Sequence, residues 1–100
     1  MYVVHQTEEF VRWLDALADR QAQLRIGTRV QRARDGNLGD WKSVGHGVSE
    51  MRIGYGPGYR IYFTRRGKWL IILLAGGDKS SQQQDILQAV KTSRNLDLEP

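Results

Sequence analysis

Cationic side chains are threaded through a stretch of this chain whose apolar residues alternate. Between Met51 and Asp85 stand Arg52, Arg60, Arg65, Arg66, Lys68 and Lys79. Strand side chains alternate between faces, so Glu50, Arg52, Arg60 and Tyr62 project away from the apolar sets Met51/Ile53 and Tyr59/Ile61/Phe63. A guanidinium donates to phosphate through a planar fork, which makes Arg52 and Arg60 a candidate phosphate grip. Glu50 is the carboxylate among them, the type of group that acts as a general base toward a ribose hydroxyl. The same residues also fit cross-strand ion pairing on a solvated face, worth at most ~1 kcal/mol per pair. Spacing alone leaves both readings open.

Three further places carry candidates. Gly76-Gly77-Asp78-Lys79-Ser80-Ser81-Gln82 lies between an apolar run and a helical pattern. The helix amides and Lys79 there form a possible anion site, or the segment is a simple cap made by Ser80 or Ser81. It lacks the first glycine of the Gly-x-x-x-x-Gly-Lys-Ser/Thr phosphate loop. Arg25, Arg29 and Arg32 stand at i, i+4, i+7, opposite the apolar side of their helix. Such a stripe is a solvated face or the footprint of a polyanion. Lys42, beside Trp41 in a polar stretch, joins Arg52, Tyr62 and the helical arginines as a candidate contact to RNA or phosphate, while Glu50, Arg60 and Lys79 are the candidate catalytic groups.

The elements that must position these groups are legible from period and punctuation. Tyr2 to His5 reads as a strand. Thr7 caps a helix with Glu8 and Glu9 in its first turn and Phe10, Trp13, Leu14 and Leu17 along one face. Asp19 caps a second helix that buries Ala22, Ile26, Val30 and Ala33 and stops at Gly36. Asn37 to Gly47 reads as a loop. Strands follow from Val48 and from Tyr59, separated by Tyr55-Gly56-Pro57-Gly58. A turn at Arg66-Gly67 leads to Trp69–Ala75, apolar throughout and therefore expected to be covered on both faces. Ser81 to Arg94 reads as a helix with Ile86, Leu87 and Val90 inward. The predicted fold is a single α+β domain over residues 1–100, β-α-α-β-β-β-α, an antiparallel sheet with two N-terminal helices and one C-terminal helix packed on it.

Composition bounds the function. The net charge is +4, but residues 20–79 alone carry twelve Lys/Arg against four Asp/Glu. That local excess attracts polyanions. With no cysteine, disulfides and thiolate metal sites are excluded, and His5 and His46 are too far apart in sequence to announce a metal cluster. No cofactor is expected. The first ten residues have neither a basic nor a long apolar region of a secretory signal, and no apolar run approaches membrane-spanning length. A cytoplasmic protein is the expectation.

Taken together, the element order, Ser49-Glu50-Met51-Arg52-Ile53, Gly58-Tyr59-Arg60-Ile61-Tyr62-Phe63 and Leu73-Leu74-Ala75-Gly76-Gly77-Asp78-Lys79-Ser80-Ser81-Gln82 resemble the RelE/ParE toxin superfamily. The nearest resemblance is to its HigB-like, phage Gp49-like branch of addiction module killer proteins. It implies the toxin of a type II toxin-antitoxin system, neutralised by a cognate helix-turn-helix antitoxin. It further implies cleavage of mRNA on the ribosome without a metal: a ribose 2′-hydroxyl attacks the adjacent phosphorus and leaves a 2′,3′-cyclic phosphate. In that scheme Arg60 stabilises the phosphate, Arg52 and Lys79 fall near basic positions of the superfamily, and Glu50 falls where some relatives carry the base and others a lysine. Where several endoribonuclease members carry a Tyr or His, Gln82, Gln83, Gln84, Asp85 and Ile86 stand here, leaving Lys79 or His46 as general acid. The same resemblance also admits a non-nuclease toxin of DNA gyrase, and the charge alone a basic RNA-binding module.

Overall fold

A computed structural model of the chain describes residues 1–98. The elements are β1 (Val3–Gln6), α1 (Glu8–Ala16), α2 (Arg20–Arg34), β2 (Trp41–Gly45), β3 (Val48–Ile53), β4 (Tyr59–Arg66), β5 (Leu70–Gly77), a 3₁₀ turn (Lys79–Ser81) and α3 (Gln82–Leu98). The strands form one sheet in the order β1-β5-β4-β3-β2, antiparallel except where β1 runs parallel to β5. The class is α+β, as the alternation and helical periods predict.

Capping fixes where the helices begin and end. The Thr7 hydroxyl accepts from the Phe10 amide, and the Asp19 carboxylate accepts from the amides of Gln21 and Ala22. α2 stops at Gly36, whose φ of 99° few other residues tolerate. There the Gly36 amide donates to the Ala33 carbonyl and the Asn37 amide to that of Arg32, satisfying carbonyls the helix leaves open.

Helices cover both faces of the sheet. On one, Phe10 of α1 and Ala22, Ile26, Val30 and Ala33 of α2 pack on Met51, Ile61, Phe63, Ile71 and Leu73. On the other, Ala89 and Val90 of α3 pack on Val48, Tyr62, Leu74 and Ala75. Each fully buried large side chain contributes about 1.5–3 kcal/mol. A bulge sets the second layer: Tyr62 pairs with Ala75 and Phe63 with Leu73, so Leu74 is extra and joins Ala75 under α3.

Several expectations need correction. Trp41–Gly45 is an edge strand within the expected Asn37–Gly47 loop. Almost all of its residues are exposed, so no buried face leaves a period of two to read. Trp69 is not in β5 but exposed in the turn before it. α3 begins at Gln82 and continues through Leu98. Leu87 is exposed, because the series Ile86, Ala89/Val90, Ser93 sits on the sheet and Leu87 lies about 100° around from it. Asp78, rather than Ser80 or Ser81, caps the 3₁₀ turn, accepting from the Ser80 amide at 2.8 Å. Most consequential, the polar face of the β3–β4 hairpin is only partly solvated, with Glu50 and Tyr62 buried while Arg52 and Arg60 keep some exposure. α3 lies over it.

Candidate anion-binding site

Strand register brings the cations together. Arg52 of β3 lies directly opposite Arg60 of β4. Like charges facing each other across strands are destabilising, and Glu50 offsets them. Its Oε1 accepts from Arg60 Nη1 at 3.0 Å and lies 3.5 Å from Arg52 Nε and 4.0 Å from Lys42 Nζ of β2. Its Oε2 accepts from Nε2 of Gln82, the first residue of α3, at 3.2 Å. The Glu50 side chain is 0% exposed. One buried carboxylate thus ties three strands and a helix to three cations, leaving a local balance of +2.

This arrangement corrects two expectations. A carboxylate enclosed by Arg60, Arg52, Lys42 and Gln82 has no surface to offer a ribose hydroxyl, so Glu50 does not fit the role of general base; it holds the cations in place. Tyr62, opposite Glu50 in register, is fully buried and offers RNA no contact. Its hydroxyl has no hydrogen-bond partner among the described residues, and burial first, then the Glu50 charge, pushes the phenol far above its ordinary range.

Above the carboxylate the cations meet solvent. Arg52, Arg60 and Lys79 line one cleft of about 260 Å³, together with Asp40, Gly58 and Tyr59. Lys79 is exposed on the 3₁₀ turn after β5, and a side chain on Gly58 would begin 3.6 Å from its Cβ. Asp78, whose carboxyl is held below its ordinary value by hydrogen bonds from the Ser80 hydroxyl and amide, fixes that turn. Two glycines let the neighbouring helices close on the end of β5. A Cβ on Gly76 would fall 2.1 Å from the Trp13 ring, and one on Gly77 1.8 Å from the Asp85 carboxylate.

The remaining candidates divide. Arg29 does not belong to a solvated stripe: its guanidinium donates to the carbonyls of Arg52 (2.6 Å), Leu38 (3.0 Å) and Asp40 (3.3 Å), and burial lowers its pKa. Arg25 and Arg32 are exposed and line a separate groove beside the cleft. Lys42 belongs to the Glu50 cluster on β2 rather than to a loop. His46 sits in the β2–β3 turn, at the Val48 end of β3. Val48 to Arg52 is roughly 13 Å of strand at ~3.3 Å per residue, which removes His46 from the cleft. Sequence reasoning missed Asp40, an exposed residue of the cleft lining, and Gln82. Neither carries a periodic signal, because one precedes an exposed edge strand and the other touches β3 only through the tertiary fold.

No family model matches the chain. A Haemophilus influenzae protein, described as an uncharacterized protein, is 43% identical over 95 residues, spanning 95% of this chain and 96% of its own length. The chain belongs to the family of that protein. The match runs over nearly the whole chain rather than a local motif. No helix among the described residues is long and apolar enough to cross a membrane.

Proposed function

We propose that the cleft between β3, β4 and the Lys79 turn binds a phosphodiester, and that the protein is a RelE/ParE-type toxin cleaving mRNA on the ribosome, held inactive by a helix-turn-helix antitoxin. The observation that carries this reading is the convergence of Arg52, Arg60 and Lys79 on one cleft, with Arg60 anchored from below by a buried carboxylate. Rigid, pre-placed donors are what stabilise charge developing on a phosphoryl group. In this scheme Arg52 and Arg60 grip the non-bridging oxygens. Asp40 takes the 2′-hydroxyl proton as that oxygen attacks phosphorus, and Lys79 gives a proton to the departing 5′-oxygen. The products are a 2′,3′-cyclic phosphate and a free 5′-hydroxyl. Asp40 replaces Glu50 as base because it is exposed and lines the cleft.

The test is induced expression followed by primer extension on cellular mRNA, with and without a co-expressed helix-turn-helix antitoxin. Growth arrest with discrete 5′-hydroxyl ends is expected. Arg60→Ala should reduce cleavage by about 10²–10³ when assayed below its melting temperature, which the loss of buried Glu50's nearest partner lowers, and Asp40→Asn should also slow cleavage. Arrest without cleavage, accompanied by inhibited gyrase supercoiling, would favour the second reading, a ParE-like gyrase toxin. The run Gln82, Gln83, Gln84 at the head of α3, which supplies no aromatic or imidazole to the cleft, is the observation on that side.

A further inference from the structure

The cleft has a neighbour. A groove of about 330 Å³ lies between α2 and the β3–β4 connection, lined by Arg25, Arg29, Arg32 and Tyr55. Ile53 and Gly54 line both the groove and the cleft, so the two meet over Gly54. The groove is built rather than incidental. Tyr55 is pinned by a hydrogen bond from its hydroxyl to Asp19 Oδ2 at 3.1 Å, and the Arg25 guanidinium lies over its ring at 4.5 Å. Arg29 is committed to backbone carbonyls, but Arg25 and Arg32 are exposed and make no ion pair among the described residues. Exposed arginines, one of them stacked on a fixed aromatic, are the elements of a single-strand track, cations for the backbone and in Arg25 a guanidinium plane on which a base can stack. At the crossing point Gly54 presents no side chain, and a Cβ there would meet nothing within 4 Å.

We propose that this groove is a second nucleotide subsite, taking the nucleotide adjacent to the one whose phosphate lies on Arg52, Arg60 and Lys79, with the strand passing over Gly54. The inference rests on the phosphodiester reading of the cleft and extends it from one phosphate to a strand with a defined path. It also reassigns Arg25 and Arg32 from a separate docking stripe to the same ligand.

Fluorescence anisotropy of an RNA dinucleotide and an RNA hexanucleotide over a salt series tests it. The wild-type chain should bind the hexamer more tightly and with the steeper salt dependence. Each single-strand phosphate contact contributes about 0.7 to the slope of log K against log salt. Arg25→Gln with Arg32→Gln should therefore lower the hexamer slope by roughly 0.7, for the one phosphate the added nucleotide brings, and leave the dimer slope unchanged. Gly54→Leu puts a side chain into open space at a position without a positive φ. It should keep the wild-type melting temperature and bring hexamer affinity down to that of the dimer. Hexamer binding unchanged in both variants, while Arg60→Ala still weakens both RNAs, overturns the subsite and leaves the cleft. Failure of both RNAs to bind the wild-type chain, or binding indifferent to Arg60→Ala, overturns the cleft itself.

Discussion

Replacing Glu50 by Gln isolates what the buried carboxylate contributes, because shape is kept and charge is lost. The three cations do not weigh equally. Lys42 and Arg52 have side chains 53% and 39% exposed, so water screens them and each pair is worth about 0–1 kcal/mol. Arg60 is 12% exposed and lies 3.0 Å from a carboxylate that is 0% exposed. Removing one partner of such a pair leaves the other charge buried and uncompensated, at a cost of about 3–5 kcal/mol. The amide cannot restore the charge. Its oxygen can accept from Arg60 and its NH₂ can donate to the Gln82 side-chain oxygen once that amide turns over, but neither supplies the negative charge that Arg60 faces. The expected destabilisation is therefore about 3–5 kcal/mol, a large share of the roughly 5–15 kcal/mol that holds a domain together.

At roughly 4–8 °C per kcal/mol for a chain of this size, the melting temperature should fall by about 12–40 °C. Circular dichroism melts at low and high salt measure it, and the loss should persist in high salt because a buried pair is screened little. Adding Gln82→Glu to Glu50→Gln returns a carboxylate across the same 3.2 Å contact and should recover at least half of the lost stability. Cleavage should return with it if Glu50 acts by positioning Arg60. Recovery of stability without cleavage would instead restore Glu50 as the base. A Glu50→Gln chain that melts within ~2 °C of wild type, well inside the smallest expected shift, refutes the reasoning outright.

Three other perturbations bear on the frame around the cleft. Arg29→Leu strips donors from the Arg52, Leu38 and Asp40 carbonyls and should lower stability by about 2–4 kcal/mol; an unchanged urea midpoint would return Arg29 to the surface stripe. Gly77→Ala places a methyl 1.8 Å from the Asp85 carboxylate and should cost about 1–3 kcal/mol, whereas Gly54→Ala meets open space and should stay within ~0.5 kcal/mol in the same thermal melts. The Asp78 carboxyl, lowered from 3.8 in the folded chain by the Ser80 hydrogen bonds, contributes stability that is present above pH 3.8 and lost as pH falls through the folded value. Protection factors for amide exchange at Ser80 and Ser81 should fall below that pH, and Asp78→Asn should remove this dependence.

The sequence carried the helices because their signals are local. Thr7, Asp19 and Gly36 each act within a few residues, and Ala22, Ile26, Val30 and Ala33 repeat on one α2 face regardless of what they pack against. The alternation in β3 and β4 likewise separated Met51, Ile61 and Phe63 from Glu50, Arg52 and Arg60. What alternation cannot state is the medium each face meets. A strand with one apolar and one charged face has the same pattern whether the charged face is bathed in water or roofed by a helix some thirty residues on. α3 decides it here, through Ala89 and Val90 over Tyr62 and Gln82 onto Glu50. That long-range contact turns Tyr62 from a surface contact into core and Glu50 from a base into a counter-ion.

The same logic explains why β2 was invisible and Asp40 with it. An edge strand that buries almost nothing has no period, and a loop residue before it has no face. Yet β2 places Lys42 beside Glu50, and the Asp40 carbonyl accepts from the Arg52 amide at 2.9 Å. The cleft is therefore assembled from local patterns in β3 and β4 and closed by two segments, one from each side, whose positions only the tertiary fold defines. The division is thus between residue types and partners: the legible segments supply Arg52, Arg60 and Lys79, while Asp40 in the lining and the Gln82 contact to Glu50 emerge only from the tertiary fold.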